Sequence, residues 1–204
     1  MNADRRLDAV RHEAASCKDC DLWRPATQTV FGEGPVPAEL MLMGEVPGDR
    51  EDRAGAVFVG PAGRVLDDAL EAAGIDRAHV YLTNAVKHFK FETRGKVRIH
   101  KKPNAAEITA CRQWWEQELA LVQPRVLGLL GATAAQAVLG RDFRVTKQRG
   151  LGIELNGRTT AIATIHPSAV LRAQDRRDEE YAGLVDDFRV MVRELDHTDG
   201  GSVV

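Results

Sequence analysis

The stretch Glu39-Leu40-Met41-Leu42-Met43-Gly44-Glu45-Val46-Pro47-Gly48-Asp49 sets the fold class. Residues 39–43 read as a buried strand that runs straight into glycines and a proline. Such punctuation marks a loop at the strand's C-terminal end. In an open α/β sheet, ligands bind outside the carboxyl ends of the strands. Working outward, residues 80–83 form a second short apolar run, closed by Asn84, and residues 126–130 a third, closed by Gly131. Residues 151–155 and 159–165 flank Asn156-Gly157, a strong hairpin signal. The second of them ends in His166-Pro167-Ser168.

Helical patterns fall between these runs. Residues 4–15 suit a short polar helix. Pro61 can open a helix because it needs no donor there. Val65, Leu66, Ala69, Leu70 and Ala73 then give one apolar face, and Gly74 stops it. Residues 105–122 place Ile108, Cys111, Trp115, Leu119 and Val122 on roughly one side. A small-residue helix spans 132–139 and a final helix 178–195, while residues 50–60 read as a polar loop and 196–204 as a frayed, flexible tail. This alternation predicts one α/β domain over residues 1–204, a three-layer αβα arrangement around a central, mostly parallel four-stranded sheet. Glu45, Asn84 and His166 each close a strand, so they are expected to converge on one edge.

With 204 residues, 44% of them hydrophobic, the chain has one sizeable core and no need of two. Its 28 basic and 30 acidic residues leave a net charge of -2, so any nucleic-acid surface must be a local patch. No stretch approaches a membrane span, and the polar N-terminus lacks the apolar centre of a secretory signal. A cytoplasmic protein is expected. Three cysteines, an odd number, do not form a secreted disulfide framework.

Two features carry chemistry. Residues 90–102 have no hydrophobic periodicity and contain Lys90, Arg94, Lys96, Arg98, Lys101 and Lys102 against one acid, Glu92, with His100 in the densest part. A mobile basic loop beside the sheet's functional edge suits a phosphate backbone, though a solvated surface loop has the same composition. Its cations would also lower the proton affinity of His100. The second feature is Cys17-Lys18-Asp19-Cys20, with Cys111 as a third thiol. Thioredoxin-like exchange is disfavoured, because the pair does not follow a strand and open a helix. A metal site needs about four ligands, and the fourth donor would be a histidine. Spacing does not choose among His12, His79, His88, His100, His166 and His197, and it leaves open zinc, an iron–sulfur cluster, or no ligand at all.

The ordered set of motifs resembles the uracil-DNA glycosylase superfamily, in particular its iron–sulfur members and among them the UdgX group. The stretches are residues 44–52 (Gly-Glu-Val-Pro-Gly-Asp-Arg-Glu-Asp), 58–64 (Phe-Val-Gly-Pro-Ala-Gly-Arg), 83–91 (Thr-Asn-Ala-Val-Lys-His-Phe-Lys-Phe), Lys96-Val97-Arg98-Ile99-His100, and His166-Pro167-Ser168. The fourth resembles the UdgX-specific Lys-Arg-Arg-Ile-His loop. The resemblance implies a [4Fe-4S] cluster held by Cys17, Cys20, His88 and Cys111, with a structural role. It implies that Asn84 reads uracil, that Phe58 stacks on the extruded base, and that Gly44, Ala85 and Ser168 complete the pocket, with Lys96 and Arg98 near the strand. It further implies that His166 stabilises the departing base, that Glu45 faces the sugar, and that His100 captures C1′ in place of water. The partner would be uracil-containing DNA, preferentially single-stranded, bound by a monomer. Val46 stands where UdgX proteins commonly have glutamine, and Val97 where they have arginine. Three other readings remain: a conventional multiple-turnover glycosylase, a non-catalytic binder of single-stranded or damaged DNA, and a zinc-stabilised domain with no DNA role.

Overall fold

The computed structural model describes residues 2–199. Five strands form the main sheet: β1 (Leu40–Gly44), β2 (Val80–Asn84), β5 (Val126–Leu130), β6 (Gly152–Glu154) and β7 (Thr160–Thr164), in the order β2-β1-β5-β7-β6. The first four in that order are parallel, and β6 adds an antiparallel edge to β7. The expected four-stranded sheet is therefore the parallel part. The Asn156-Gly157 hairpin returns a fifth strand to its edge.

All five residues of β1, β2 and β5 are buried, which an unbroken apolar run predicts for strands covered on both faces. Alternation splits them cleanly. Met41, Met43, Tyr81, Leu127 and Leu129 pack with α1 (Ala3–Ala14), α4 (Ala105–Val122) and α5 (Ala132–Leu139). Leu40, Leu42, Val80, Leu82, Val126 and Leu130 pack with α3 (Pro61–Ala72), α7 (Pro167–Arg172) and α8 (Arg177–Asp199). Three layers result. Gly128 in mid-β5 lets α8 approach, since a Cβ there would lie 2.3 Å from Leu42 and 2.9 Å from the Met191 sulfur.

The chain passes from β1 to β2 on one side, then crosses back over β1 to β5. The strand order reverses between β1 and β5, and a crevice opens there at the carboxyl ends. Glu45 follows β1 and Gly131 follows β5, so both stand at this switch point.

Three expectations are corrected. The basic segment is an antiparallel hairpin, β3 (Phe91–Arg94) and β4 (Val97–His100), not an irregular loop. Gly95, with φ 59°, takes the first of its two turn positions, the sign a type II′ turn needs. The polar loop after β1 begins with a short helix, α2 (Asp49–Ala54), and another, α6 (Val145–Gln148), precedes β6. The last helix continues through Asp199, so residues 196–199 are not a tail, and 200–204 lie outside the described residues. No helix among the described residues is long and apolar enough to cross a membrane.

Candidate active site at the sheet switch point

A cleft of about 860 Å³ lies over the carboxyl ends of the strands. Glu45, Phe58, Asn84, His100, His166 and Ser168 all line it. Gly44 ends β1 and Ala85 follows β2, and neither lines the cleft. The β1 and β2 ends are tied together past the strands, with Ala85 N–H donating to Gly44 O (2.9 Å) and Val86 N–H to Glu45 O (3.0 Å). A Cβ on Gly44 would lie 2.4 Å from Asn84 Oδ1 and 2.7 Å from Phe58 Cζ. Only glycine lets the amide and the ring converge there.

Phe58 holds a left-handed φ of 53°, uncommon outside glycine and costly when it occurs. Two neighbours over-determine it. Gly63 passes so close that a Cβ would stand 1.7 Å from Phe58 O, and the Glu51 carboxylate accepts Gly60 N–H at 2.8 Å. The strained backbone turns the Phe58 ring parallel to His166, with centroids 6.3 Å apart and planes at 28°.

His166 caps α7. Its Nδ1 accepts the Ser168 amide (3.1 Å) and lies 2.8 Å from Ser168 Oγ, which itself accepts from Arg172 Nη1 at 2.9 Å. Two donors at Nδ1 leave the ring proton on Nε2. Burial, followed by the nearby Arg172 and His100, lowers the His166 pKa to about 4. At neutral pH this side chain is an uncharged N–H donor. Glu45 Oε1 accepts the hydroxyl of Thr133, from the first turn of α5 (2.9 Å).

His100 ends β4 at the cleft mouth, its ring 6.1 Å from Phe89. Its pKa is lowered, first by burial against the cleft wall and further by Arg172; the Glu45 and Glu51 carboxylates oppose this. The sequence placed the cause in the loop's own cations; in the structure burial comes first and Arg172, on another element, adds to it. Half of those cations are committed. Lys90 pairs with Glu107 (2.9 Å) and Lys101 with Glu92 (2.7 Å). Arg98 turns inward: it donates to Asp49 and to Asp52 (2.6 Å), and lies over the Phe89 and Phe91 rings at 5.2 and 4.9 Å. Asp52 is fully buried and also accepts the Thr27 amide and hydroxyl. Arg98 thus anchors the hairpin instead of facing a strand. Among the described residues, Arg94, Lys96 and Lys102 form no ion pair.

The four expected cluster ligands lie on the segment after α1 (Cys17, Cys20), the loop after β2 (His88) and α4 (Cys111). The Cys20 and Cys111 thiols hydrogen-bond to each other, which lowers the Cys20 pKa to about 6 and raises that of Cys111. Trp114 Nε1–H donates to Cys17 Sγ (3.3 Å), and the Lys87 backbone hydrogen-bonds Cys111. His88 is buried. The Thr29 hydroxyl donates to Ala14 O and so receives the proton of His88 Nε2 at 2.9 Å. His88 Nδ1 is left as an orphaned lone pair in the interior. A metal-binding imidazole is commonly fixed in this way through its other nitrogen. Burial also lowers the His88 pKa and keeps the ring neutral, the form that ligates. Among the described residues no three donors converge on the place of a single ion. A four-iron cluster takes one donor per iron and needs no such point. Three thiols and one bare imidazole nitrogen therefore fit a cluster.

Sequence reasoning missed Thr133, Arg172, and the buried Lys87–Glu118 pair. Arg172 stands four residues after Ser168, so helical spacing carried its signal. Thr133 had the same signal as Glu45, a place just past a strand end. Glu118 had none, because its partners are distant in sequence.

The three-layer α/β fold thus brings an amide, an aromatic ring, a carboxylate and two imidazoles into a cleft at the switch point. The family model described as the Uracil DNA glycosylase superfamily matches residues 31–189. The chain belongs to that superfamily. It is 33% identical to the Type-4 uracil-DNA glycosylase of Sulfurisphaera tokodaii, over 93% of this chain and 84% of that protein. It is 35% identical to the Type-4 uracil-DNA glycosylase of Pyrobaculum aerophilum, over 85% and 88%. A Type-5 uracil-DNA glycosylase of Thermus thermophilus is 30% identical, over 80% of each chain.

Proposed function

We propose that this protein excises uracil from DNA, preferentially single-stranded, and becomes bonded to the resulting abasic site through His100. The observation that carries the reading is that His100, borne by a hairpin separate from the sheet, shares one cleft with Glu45, Phe58, Asn84 and His166. The names of the relatives support excision of uracil, and the Lys96–His100 segment supports the capture.

Uracil in a stacked strand is out of reach, so the nucleotide enters extruded or from a single strand. Phe58 offers the stacking face. The Asn84 amide donates to O4 and accepts from N3–H, a pattern cytosine does not present. As the C1′–N1 bond breaks, its electron pair stays on uracil and the deoxyribose becomes cationic. The neutral Nε2–H of His166 donates toward O2 of the leaving anion, and Glu45 faces the cationic sugar. A lone pair of the His100 imidazole then forms the new bond to C1′. The ring becomes an alkyl imidazolium and loses its second nitrogen proton to solvent, while uracil takes up a proton. Lys96 and Lys102 are free to meet phosphate. Cys17, Cys20, His88 and Cys111 would hold a [4Fe-4S] cluster, whose contribution is to tie the N-terminal segment to the β2 loop and α4 in a monomeric protein.

Mixing the protein with a uracil-containing single strand and running a denaturing gel tests the reading. A shifted band that survives boiling is expected, and His100→Ser should remove it while allowing slow release of abasic DNA. Free abasic product with free wild-type protein would favour ordinary turnover, and tight binding with uracil intact would favour a binding protein.

A further inference from the structure

Behind Asn84 lies an ion pair that the mechanism above does not use. Lys87 is 1% exposed and Glu118 is not exposed at all. The Lys87 ammonium spends its three protons on Glu118 Oε2 (2.5 Å), Thr83 Oγ1 (2.6 Å) and the Asn84 carbonyl (2.9 Å). Glu118 accepts in addition from Gly32 N–H (2.9 Å), Tyr81 O–H (3.1 Å) and Thr83 O–H (2.9 Å). Gly32 has no room for a side chain, since a Cβ would stand 2.3 Å from Glu118 Oε1.

Burying two charges costs about as much as their attraction returns, and well-packed apolar residues often serve stability equally well. The use of this pair is better read from what it touches. One ammonium proton fixes the Asn84 peptide oxygen. The N–H of that same peptide, on Ala85, is fixed to Gly44 O. The peptide that follows Asn84 is thus held at both of its polar atoms, and the Asn84 Oδ1 is set over Gly44 in a space without slack. Glu118 stands seven residues after Cys111, two turns along the same face of α4, so the pair joins that helix to the strand end.

We propose that Lys87 and Glu118 are positioning residues for base recognition, setting the Asn84 amide so that the cleft distinguishes uracil from cytosine. The inference rests on Asn84 as the reader of the base. Its test is a double-mutant cycle on discrimination. Affinity is measured for two matched single strands, one with a 2′-fluoro uracil nucleotide that resists cleavage and one with cytosine at that place, at a temperature where circular dichroism shows every variant folded. Lys87→Met with Glu118→Met should lower the uracil preference about tenfold, as Asn84→Ala does, and adding the pair to Asn84→Ala should lower it no further. If the pair's loss and the Asn84 loss multiply, or if the double variant melts lower yet keeps the full preference, the two residues are merely structural and the proposal falls. Where the double variant does not fold, Glu118→Gln, alike in shape but uncharged, replaces it: reduced preference supports the proposal and unchanged preference overturns it. A wild-type protein with no preference for uracil would instead overturn the reading of Asn84 itself.

Discussion

His166 and His100 face one cleft but differ in what holds their protons. His166 is held neutral first by burial and then by the nearby Arg172 and His100, with its proton on Nε2 because Nδ1 accepts two donors, so it stays neutral down to about pH 4, below the ordinary histidine value of 6.5. Between these values the unfolded chain binds a proton that the folded one refuses, so stability rises with pH across that window and falls as pH drops from 6.5 toward 4. Denaturant titrations at several pH values should show this slope, and His166→Gln should flatten it. Arg172→Met removes a cation from both imidazoles, so the acid limit of adduct formation should move to higher pH; an unmoved limit would mean that Arg172 does not set it. Glu45, Asn84 and His166 were legible in the sequence because each closes an apolar run. Their supports Thr133 and Arg172 carried weaker signals, a place past a strand end and a helical spacing from Ser168, and only the fold shows that they reach Glu45 and the two imidazoles.

At the level of elements, the hairpin of β3 and β4 inverts the usual pattern. Phe91, Arg98 and His100 share the face toward the body, while Val97 and Ile99 point outward and are exposed. Alternation was present, but with charge inside and apolar residues outside it did not register as strand. The inversion holds because Asp52 is buried with Thr27 and receives the Arg98 guanidinium there. Breaking one side of such a pair costs about 3–5 kcal/mol. Arg98→Met should therefore destabilise the protein by roughly that amount in urea unfolding and slow the covalent step more than it weakens binding of uracil-containing DNA. A capture rate at the wild-type level would mean that the hairpin does not need its anchor. Lys96, at the turn and unpaired, should alter salt dependence of DNA binding with little change in stability.

For the whole molecule, the layers and the position of the cleft were readable from the alternation of strand and helix. The fifth strand was visible as a hairpin but not its place in the sheet, because three residues at an edge make a weak pattern. The cluster donors were legible by type only. What singles out His88 is three-dimensional: Thr29 occupies its Nε2 and leaves Nδ1 bare. His88→Ala and Cys111→Ser should each lower iron content and the broad visible absorption of the purified protein, with a lower melting temperature, whereas His79→Ala at the exposed end of the sheet should change neither. Equal iron in all variants would contradict the assigned donor set.

The central claim is that one imidazole on the hairpin ends the reaction bonded to the sugar. Protein mixed with a uracil-containing single strand, then digested with nuclease and protease, can be mapped by tandem mass spectrometry. A peptide containing His100 that carries the mass of an abasic deoxyribose phosphate on the imidazole is expected. The same adduct on any other residue, or an unmodified His100 peptide after all uracil has been released, would contradict it.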